Sequence, residues 1–297
     1  MADTQTKRLL SLDVFRGITI AGMILVNNPG TWGSIYPALR HADWHGWTPT
    51  DLIFPFFLFI VGVAITLSLT KRKERGDSQG KLILQIARRG ALLFLLGLIL
   101  HGFPYFELSS LRIPGVLQRI GVVYFFTALI FLKTDIKVQT IITFALLFVY
   151  WGLMALVPVP GVGFPNLEPT TNLSAWLDNL LLSGHLWSYT KVWDPEGILS
   201  TIPAISSALF GVLTGHWLRS KNEEMSKIIW MFVVGNILYV IGIFWDMWFP
   251  INKNIWTSSY VIITTGLALH FFAMCYFLID VKGYKWWTKP FVVYGMN

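Results

Sequence analysis

Long apolar runs recur along almost the whole of this 297-residue sequence. A helix needs about 20 consecutive, mostly apolar residues to cross the hydrocarbon core of a bilayer, where backbone N–H and C=O groups find no water. Eight runs approach that length, and they predict spanning helices at about 12–28, 51–70, 84–102, 114–132, 138–157, 198–218, 228–249 and 256–279. The last residues, FVVYGMN, predict the start of a ninth helix. The expected fold class is therefore all-α, a polytopic transmembrane helical bundle.

The composition excludes an ordinary soluble domain. Charged residues make up only 13% of the chain and hydrophobic residues 54%, whereas soluble domains carry about 25% charged residues. The net charge of +7 does not indicate nucleic-acid binding, because the basic residues of membrane proteins collect in cytoplasmic loops for topological reasons. The single cysteine, Cys275, excludes a disulfide framework and a cysteine-based metal site.

The distribution of lysine and arginine between the predicted helices indicates their orientation. Most basic residues outside the apolar runs lie at Lys7 and Arg8 or in the connections 71–81, 133–137, 219–227 and 280–289. The alternate connections contain only Arg40, Arg112, Lys191 and Lys253. Because basic loops stay on the cytoplasmic side, the N-terminus is expected in the cytoplasm.

The long connection 158–197 is rich in Pro, Gly, Asn and Trp, and it is expected to form a small extracytoplasmic cap. We expect a single transmembrane domain over 1–297. The polar start, MADTQTKRLLSLD, lacks the pattern of a cleavable signal, so the first apolar segment is expected to stay in place.

The stretch LRHADWHGWTPTDLIFPFF, residues 39–57, places titratable side chains beside an apolar run. Such groups cost free energy unless they have partners. His41 could act as a general base or as a nucleophile, because an unperturbed histidine is mostly neutral at pH 7. Asp51 or Asp43 could orient its ring, and Asn27 could polarise a carbonyl group. The alternative interpretation is a solvated surface loop.

A metal site at His41 and His45 would require a helical segment, since the two residues are four apart. Gly46 and Pro49 disfavour a helix there, so no metal ion is predicted.

Several polar residues fall inside the predicted helices. Gln118 and Arg119 lie well within the fourth helix, and an arginine at the bilayer centre costs at least ~2.5–3.5 kcal/mol. Arg119 is therefore expected to face protein or a wet cavity. Together with Arg16 and Arg89, it could form a positive surface that is reached from the cytoplasm and suits a phosphorylated ligand.

The alternative is that these arginines pair with buried carboxylates or anchor helix ends. Asp13 and Arg16 are three residues apart, share a helix face and can pair. Arg88 and Arg89 are expected at the cytoplasmic start of the third helix. The candidate buried carboxylates are Asp13, Asp51 and Asp246.

The segment WDPEGILSTIP, residues 193–203, is a second polar constellation. Asp194 and Glu196 precede a predicted helix, and Pro195 suits a first helical turn. One interpretation is that the carboxylates cap this helix. The other is that they recognise a cationic amino group on a substrate.

Several long motifs stand in the order found in one known family. They are SLDVFRG, HADWHG, TPTDLIFPFFLFIVG, RIPGVLQRIGVVYF, VPVPG, DPEGILSTI, INKNIWTSSYV and FVVYGMN. Through nearly all of 8–297 the chain resembles heparan-α-glucosaminide N-acetyltransferases, in particular bacterial relatives of the NagX type.

This resemblance implies a transmembrane acetyltransferase that moves acetyl from cytoplasmic acetyl-CoA to the amino group of an amino sugar on the opposite side. It implies a catalytic role for His41 with Asp51 and Asn27. The residues that it implies for acetyl-CoA are Arg16, Arg89, Arg112, Gln118 and Arg119. We expect the substrate near Trp44, His45, Asp194 and Glu196. By analogy it also implies a homodimer in the lipid bilayer, expected to be a bacterial inner membrane.

Two mechanisms stay open from the sequence, namely direct transfer with His41 as general base and an acetyl-histidine intermediate. Direct transfer is favoured because it avoids a labile acyl-histidine near water. Two other functions also stay open, an amino-sugar transporter and an acyltransferase acting on a cell-wall or lipid-linked sugar. Relatives continue beyond GMN, so the C-terminal helices of the family are expected to be missing from this sequence.

Overall fold

Ten α-helices account for most of residues 9–296, the part of the chain that this computed structural model describes. They are α1 (Leu10–Asn27), α2 (Ile53–Glu74), α3 (Gln79–Gly102), α4 (Val116–Lys133), α5 (Ile136–Leu156), α6 (Leu173–Leu182), α7 (Thr201–Leu218), α8 (Glu224–Asp246), α9 (Ser258–Cys275) and α10 (Lys289–Met296). Short 3-10 turns, Pro37–Leu39 and Pro49–Leu52, lie before α2, and a π-helical segment, Tyr276–Val281, extends α9. This range contains no β-strand, which confirms the all-α prediction. Lys7, Arg8 and Asn297 lie outside the described residues.

Seven helical segments are long and apolar enough to cross a membrane, so the chain is an integral, multi-pass membrane protein. The segments are Leu10–Asn27, Pro49–Glu74, Gln79–Gly102, Val116–Lys133, Ile136–Leu156, Glu224–Asp246 and Ser258–Val281. The remaining predicted span forms α7, most of whose residues are buried between other helices. Because α7 faces protein, it tolerates polar residues such as Ser206, which donates a hydrogen bond to the carbonyl of Thr143. The short helix α6, inside 158–197, was not predicted.

The centre of the bundle is the close contact between α2 and α7. A Cβ atom on Gly62 would lie 1.8 Å from the carbonyl oxygen of Ala208, and one on Gly211 would lie 2.0 Å from that of Phe59. The two backbones can approach this closely only because both positions are glycine, as is common where membrane helices pack. Around this pair, α9 packs on α8, α3 on α4, and α1 on α10.

The connections between the helices separate into two groups. At one end of the bundle, Arg219 pairs with Glu74 at 2.6 Å. At the other end, the indole N–H of Trp44 donates to the carbonyl of Leu167 at 2.9 Å. These contacts follow the basic and non-basic sets of connections predicted from the charge distribution.

We expect the substitution Gly62→Ala to destabilise the protein. The added methyl group has no space against α7, and overpacking of this kind costs about 1–3 kcal/mol. The thermal unfolding midpoint of the detergent-solubilised protein should fall. Gly152→Ala in α5 is the matched control, since a Cβ there meets nothing within 4 Å, and equal midpoints for the two variants would contradict the packing argument.

Candidate active site

The loop before α2 carries a histidine–aspartate pair. Nδ1 of His41 lies 2.5 Å from Oδ1 of Asp51. The Asp51 side chain is buried, with 1% exposed, whereas that of His41 is 44% exposed. The structure therefore brings these two predicted residues together, and it places Asp43 beside Arg40 instead, at 3.0 Å.

Local geometry explains the position of Asp51. Thr48 and Asp51 form a capping box, in which Oδ2 of Asp51 accepts the N–H of Thr48 at 3.0 Å and its hydroxyl at 3.2 Å. The same oxygen accepts the N–H of Ala42 at 3.0 Å, which folds the histidine loop back onto the helix start. The hydroxyl of Tyr260 donates to the main-chain carbonyl of Asp51 at 2.5 Å. With Oδ2 occupied in this way, Oδ1 faces the histidine.

This contact sets the tautomer of His41. An ionised carboxylate only accepts hydrogen bonds, so Nδ1 of His41 carries the proton in the contact with Asp51. Nε2 then holds the lone pair on a side chain that is partly exposed. A neutral imidazole oriented in this way can take a proton from an amine or attack an electrophilic carbon.

Lys253, which we did not predict as a site residue, completes the group. Its Nζ atom lies 3.7 Å from Oδ1 of Asp51, and 3.1 Å and 3.3 Å from Nδ1 and Nε2 of His41. Burial lowers the pKa of Lys253, and the charge of Asp51 partly opposes that effect. A signal was present in the sequence, because Lys253 is the only basic residue in its connection.

The loop that carries Lys253 is fixed to the histidine loop. The N–H of Gly46 donates to the carbonyl of Ile251 at 2.7 Å. Asn252 is fully buried, and its side-chain oxygen accepts the N–H of Ile255 at 3.1 Å. Two loops that are distant in sequence are therefore joined by a hydrogen bond, which places Lys253 next to His41.

Arg112 is engaged by carboxylates. Its Nε and Nη2 atoms donate to the two oxygens of Asp194 at 2.8 Å and 2.7 Å, and Nη2 also donates to Glu196 at 2.7 Å. Burial alone would lower the pKa of Arg112, but Asp194 and Glu196 raise it above its ordinary value. Because α7 begins only at Thr201, the two carboxylates do not cap it. The predicted acetyl-CoA residue Arg112 and the predicted substrate residues Asp194 and Glu196 thus bind one another.

Arg119 is the most deeply buried cation of this region, with 2% exposed. Its Nη2 atom donates to the carbonyl of Gly197 at 3.1 Å and to the hydroxyl of Ser200. Within the described residues, Nε and Nη1 have no hydrogen-bond partner. Its guanidinium carbon lies 5.2 Å from the ring centroid of Trp256. Arg119 faces protein, one of the two predicted environments, but the prediction that it lies well within the fourth helix was wrong, because α4 begins only at Val116.

Gln118 lies beside Arg119 and is 3% exposed. Its amide nitrogen is 3.3 Å from Nδ1 of His101, and its oxygen has no partner in the described part of the chain.

Arg16 and Arg89, which were also predicted to bind acetyl-CoA, lie on other helices than Gln118 and Arg119. Arg16 pairs with Asp13 at 2.9 Å within α1, as their spacing predicted. Arg89 is exposed on α3, with its guanidinium carbon 5.1 Å from the ring centroid of Tyr124. In the described residues α3 packs along α4, and no extended interface joins it to α1. Arg16, Arg89 and Arg119 lie on three different helices, α1, α3 and α4, and the positive surface expected from them stays a prediction.

Asn27 lies at the end of the first helix, as predicted, whereas Arg88 and Asp246 do not lie where the predictions placed them. Asn27 is exposed at the end of α1, and no described hydrogen bond joins its side chain to His41 or Asp51. Arg88 and Arg89 lie well inside α3 because this helix begins earlier, at Gln79. Asp246 is exposed, so its prediction as a buried carboxylate was wrong.

Asp178 is a buried carboxylate that we did not predict. It lies in α6 and accepts the N–H groups of Ile198 at 2.8 Å and of Asp194 at 3.4 Å. Burial raises the pKa of Asp178 to about 6, although these two N–H groups oppose the shift. A single carboxylate inside the apolar run LSAWLDNLLL was the available signal.

Aromatic side chains adjoin the histidine loop. The ring of Trp44 meets that of Trp193 at 5.1 Å between centroids and that of His45 at 6.2 Å. Nδ1 of His45 is 3.4 Å from the side-chain nitrogen of Asn252. Residues 9–296 contain no group of three or more His, Cys, Asp or Glu side chains that could hold a metal ion.

Fold and site together define a multi-pass membrane protein with a carboxylate-oriented histidine at one end of its helical bundle. A family model described as heparan-alpha-glucosaminide N-acetyltransferase, catalytic, matches residues 8–245, and the chain belongs to this family.

Two curated relatives support the same placement. The heparan-alpha-glucosaminide N-acetyltransferase of Homo sapiens is 34% identical over an alignment that covers 98% of this chain and 51% of the human protein. That of Mus musculus is 32% identical over an alignment that covers 99% of this chain and 52% of the mouse protein. The chain spans about half the length of these relatives.

We expect Arg112→Gln to lower the thermal unfolding midpoint strongly. It leaves the buried carboxylate of Asp194 without its cation, and breaking such a pair costs about 3–5 kcal/mol, here near the lower end because the Arg112 side chain is 21% exposed. Arg40→Gln is the control, because its pair with Asp43 is solvent-exposed and worth about 0–1 kcal/mol. Equal midpoints would contradict this assignment.

The raised pKa of Asp178 predicts a pH-dependent stability. Its folded pKa, about 6, lies above the unfolded value of 3.8, so its contribution is present below pH 3.8 and is lost as the pH rises through 6. The loss is of the order of 3 kcal/mol. Asp178→Asn should therefore reduce the fall in unfolding midpoint between pH 5 and pH 7. The exposed Asp43→Asn should leave that fall unchanged, and an unchanged fall in Asp178→Asn would refute the prediction.

Proposed function

We propose that this chain transfers an acetyl group from acetyl-CoA to the amino group of a glucosamine-type sugar across the membrane. The contact between His41 and Asp51 is the observation that carries this proposal. Membership of the family and the names of the relatives support the reaction class and the amino-sugar acceptor.

In the proposed reaction His41 is the general base. Asp51 holds Nδ1 protonated, and Nε2 accepts the proton that the amine loses as it bonds to the acetyl carbon. Direct transfer is favoured over an acetyl-histidine intermediate, because the partly exposed ring would leave an acyl-imidazole open to water. Trp44 and His45 border this position and are proposed to contact the sugar.

Arg119 is proposed to receive the acyl donor. Its Nε and Nη1 donors, which have no partner within residues 9–296, suit the carbonyl oxygens of the pantetheine arm. Arg119 lies in the first turn of α4, at the end of the bundle that carries His41. The phosphates of CoA need other cations nearer the opposite end, and Arg89, exposed on α3, is proposed as one of them. Arg112 is proposed to have a structural role, because its donors already bind Asp194 and Glu196.

We also propose that the N-terminus and the basic connections face the cytoplasm of a bacterium, in its inner membrane. The charge distribution supports this orientation. The histidine loop would then face outward, so that donor and acceptor arrive from opposite sides. We also propose that the protein is a homodimer, and the resemblance to the animal enzyme supports this.

We expect His41→Ala to reduce acetyl transfer by at least about 100-fold, because general-base catalysis contributes roughly 10²–10⁴-fold. The measurement is transfer of radiolabelled acetyl from acetyl-CoA to glucosamine by the purified protein in proteoliposomes. CoA binding, measured separately, should persist. His185→Ala, at the same end of the bundle, should keep most of the activity.

Near wild-type transfer by His41→Ala would contradict the assignment of the base. CoA binding without transfer to any amino sugar would point to a different acceptor, such as a cell-wall or lipid-linked sugar. Sugar flux without consumption of acetyl-CoA would favour the transporter.

A further inference from the structure

The ammonium group of Lys253 lies over the face of the His41 ring. Its Nζ atom is nearly equidistant from Nδ1 and Nε2, at 3.1 Å and 3.3 Å. In the ring plane this position would collide with Cε1, which lies between the two nitrogens, so the ammonium approaches from above the ring. The lone pair of Nε2 lies in the ring plane and therefore stays available to a ligand.

Lys253 has unused hydrogen-bonding capacity. An ammonium group has three N–H donors. Oδ1 of Asp51, at 3.7 Å, is beyond hydrogen-bond distance and already accepts from His41. In the described part of the chain its contacts are with the ring of His41 and the carboxylate of Asp51, which leaves an N–H donor for the oxygen of a ligand.

The fold holds this cation at the site. Of the two residues directly before Lys253, Ile251 accepts a hydrogen bond from Gly46 and Asn252 is buried in the protein interior. The Lys253 side chain is only 19% exposed. Burial of an ammonium group is costly, and here it lowers the pKa of Lys253. A buried cation that lies beside a carboxylate and a histidine in this way is typical of functional sites.

We propose that Lys253 stabilises the oxyanion that forms on the acyl carbonyl during transfer, an inference that rests on the proposed function. The lone pair of the neutral amine attacks the thioester carbon, and the π pair of the carbonyl moves onto oxygen. His41 takes the N–H proton. When the oxyanion re-forms the carbonyl, the C–S bond breaks and the CoA thiolate leaves with the proton that His41 returns. Lys253 donates a hydrogen bond throughout and keeps its own protons.

The distances permit this role. An amine within hydrogen-bond reach of Nε2 lies about 3 Å from the ring. The carbonyl oxygen is two bonds further on, and a donor 3.3 Å from Nε2 can meet it at the ~2.7–3.1 Å that oxyanion stabilisation requires. Asn27, predicted for this task, has no described contact with His41. The family model ends at residue 245, before Lys253.

The first test compares Lys253→Met with Lys253→Arg in the transfer assay with acetyl-CoA and glucosamine. Loss of one oxyanion donor lowers kcat by about 10²–10³-fold. We expect that loss in Lys253→Met with little change in the KM for acetyl-CoA, and partial recovery in Lys253→Arg. With chloroacetyl-CoA, whose carbonyl is more electrophilic, the loss in Lys253→Met should be smaller. Lys191→Met, an exposed lysine at the same end, is the matched control.

A second test restores the charge without refolding the protein. The chain has a single cysteine, Cys275, which is only 3% exposed, so the thiol introduced by Lys253→Cys can be modified selectively. Treatment with 2-aminoethyl methanethiosulfonate attaches an ammonium group there, and methyl methanethiosulfonate attaches a neutral group. Recovery of kcat with the first reagent alone is the expected result, and it should reverse on reduction.

The outcomes separate this inference from the proposed function. If the wild-type protein transfers acetyl and Lys253→Met does so at a similar rate, the role of Lys253 is wrong while the function stands. Equal effects of the two reagents, or an equal loss with both acyl donors, would likewise overturn it in favour of a purely structural lysine. Absence of transfer by the wild-type protein overturns both.

Discussion

The buried carboxylate of Asp51 organises one end of this protein. It caps the start of α2 through Thr48, folds the histidine loop back through Ala42 and orients the ring of His41. It also provides the negative charge near which the Lys253 ammonium can remain buried. A buried charge is tolerated only when its hydrogen bonds are satisfied, so loss of any one of these partners affects the others.

Two kinds of buried charge lie at this end of the bundle. Arg112 and Asp194 satisfy each other, and with Asp178 they tie the 158–197 segment to the helices. Within the described residues, Nε and Nη1 of Arg119 have no hydrogen-bond partner, and the Lys253 ammonium keeps a donor beyond its contacts with His41 and Asp51. The first kind stabilises the fold, and the second has capacity for a ligand. This difference is the reason why Arg112 is assigned to structure and Arg119 to the acyl donor.

The helix packing makes the site rigid. Close contact of α2 with α7 at Gly62 and Gly211 fixes the helix that starts beside Asp51. The start of α9 is fixed by the hydroxyl of Tyr260, which reaches the carbonyl of Asp51. His41 lies on a loop, but its position is determined by helix starts that cannot move independently, as transfer between two bound substrates requires.

The sequence by itself determined the helical class, the approximate spans and the grouping of the connections, because a bilayer requires a long apolar run for each crossing. It also determined local pairs such as that of Asp13 with Arg16, since two residues that are three apart on a helix lie on the same face. Only the tertiary structure decided that Asp51 rather than Asp43 orients His41, and that Arg112 binds a carboxylate 82 residues away. Lys253 reaches His41 across 212 residues. Contacts of this kind depend on how the helices pack and how loops meet at their ends, and no local spacing in the sequence encodes that arrangement.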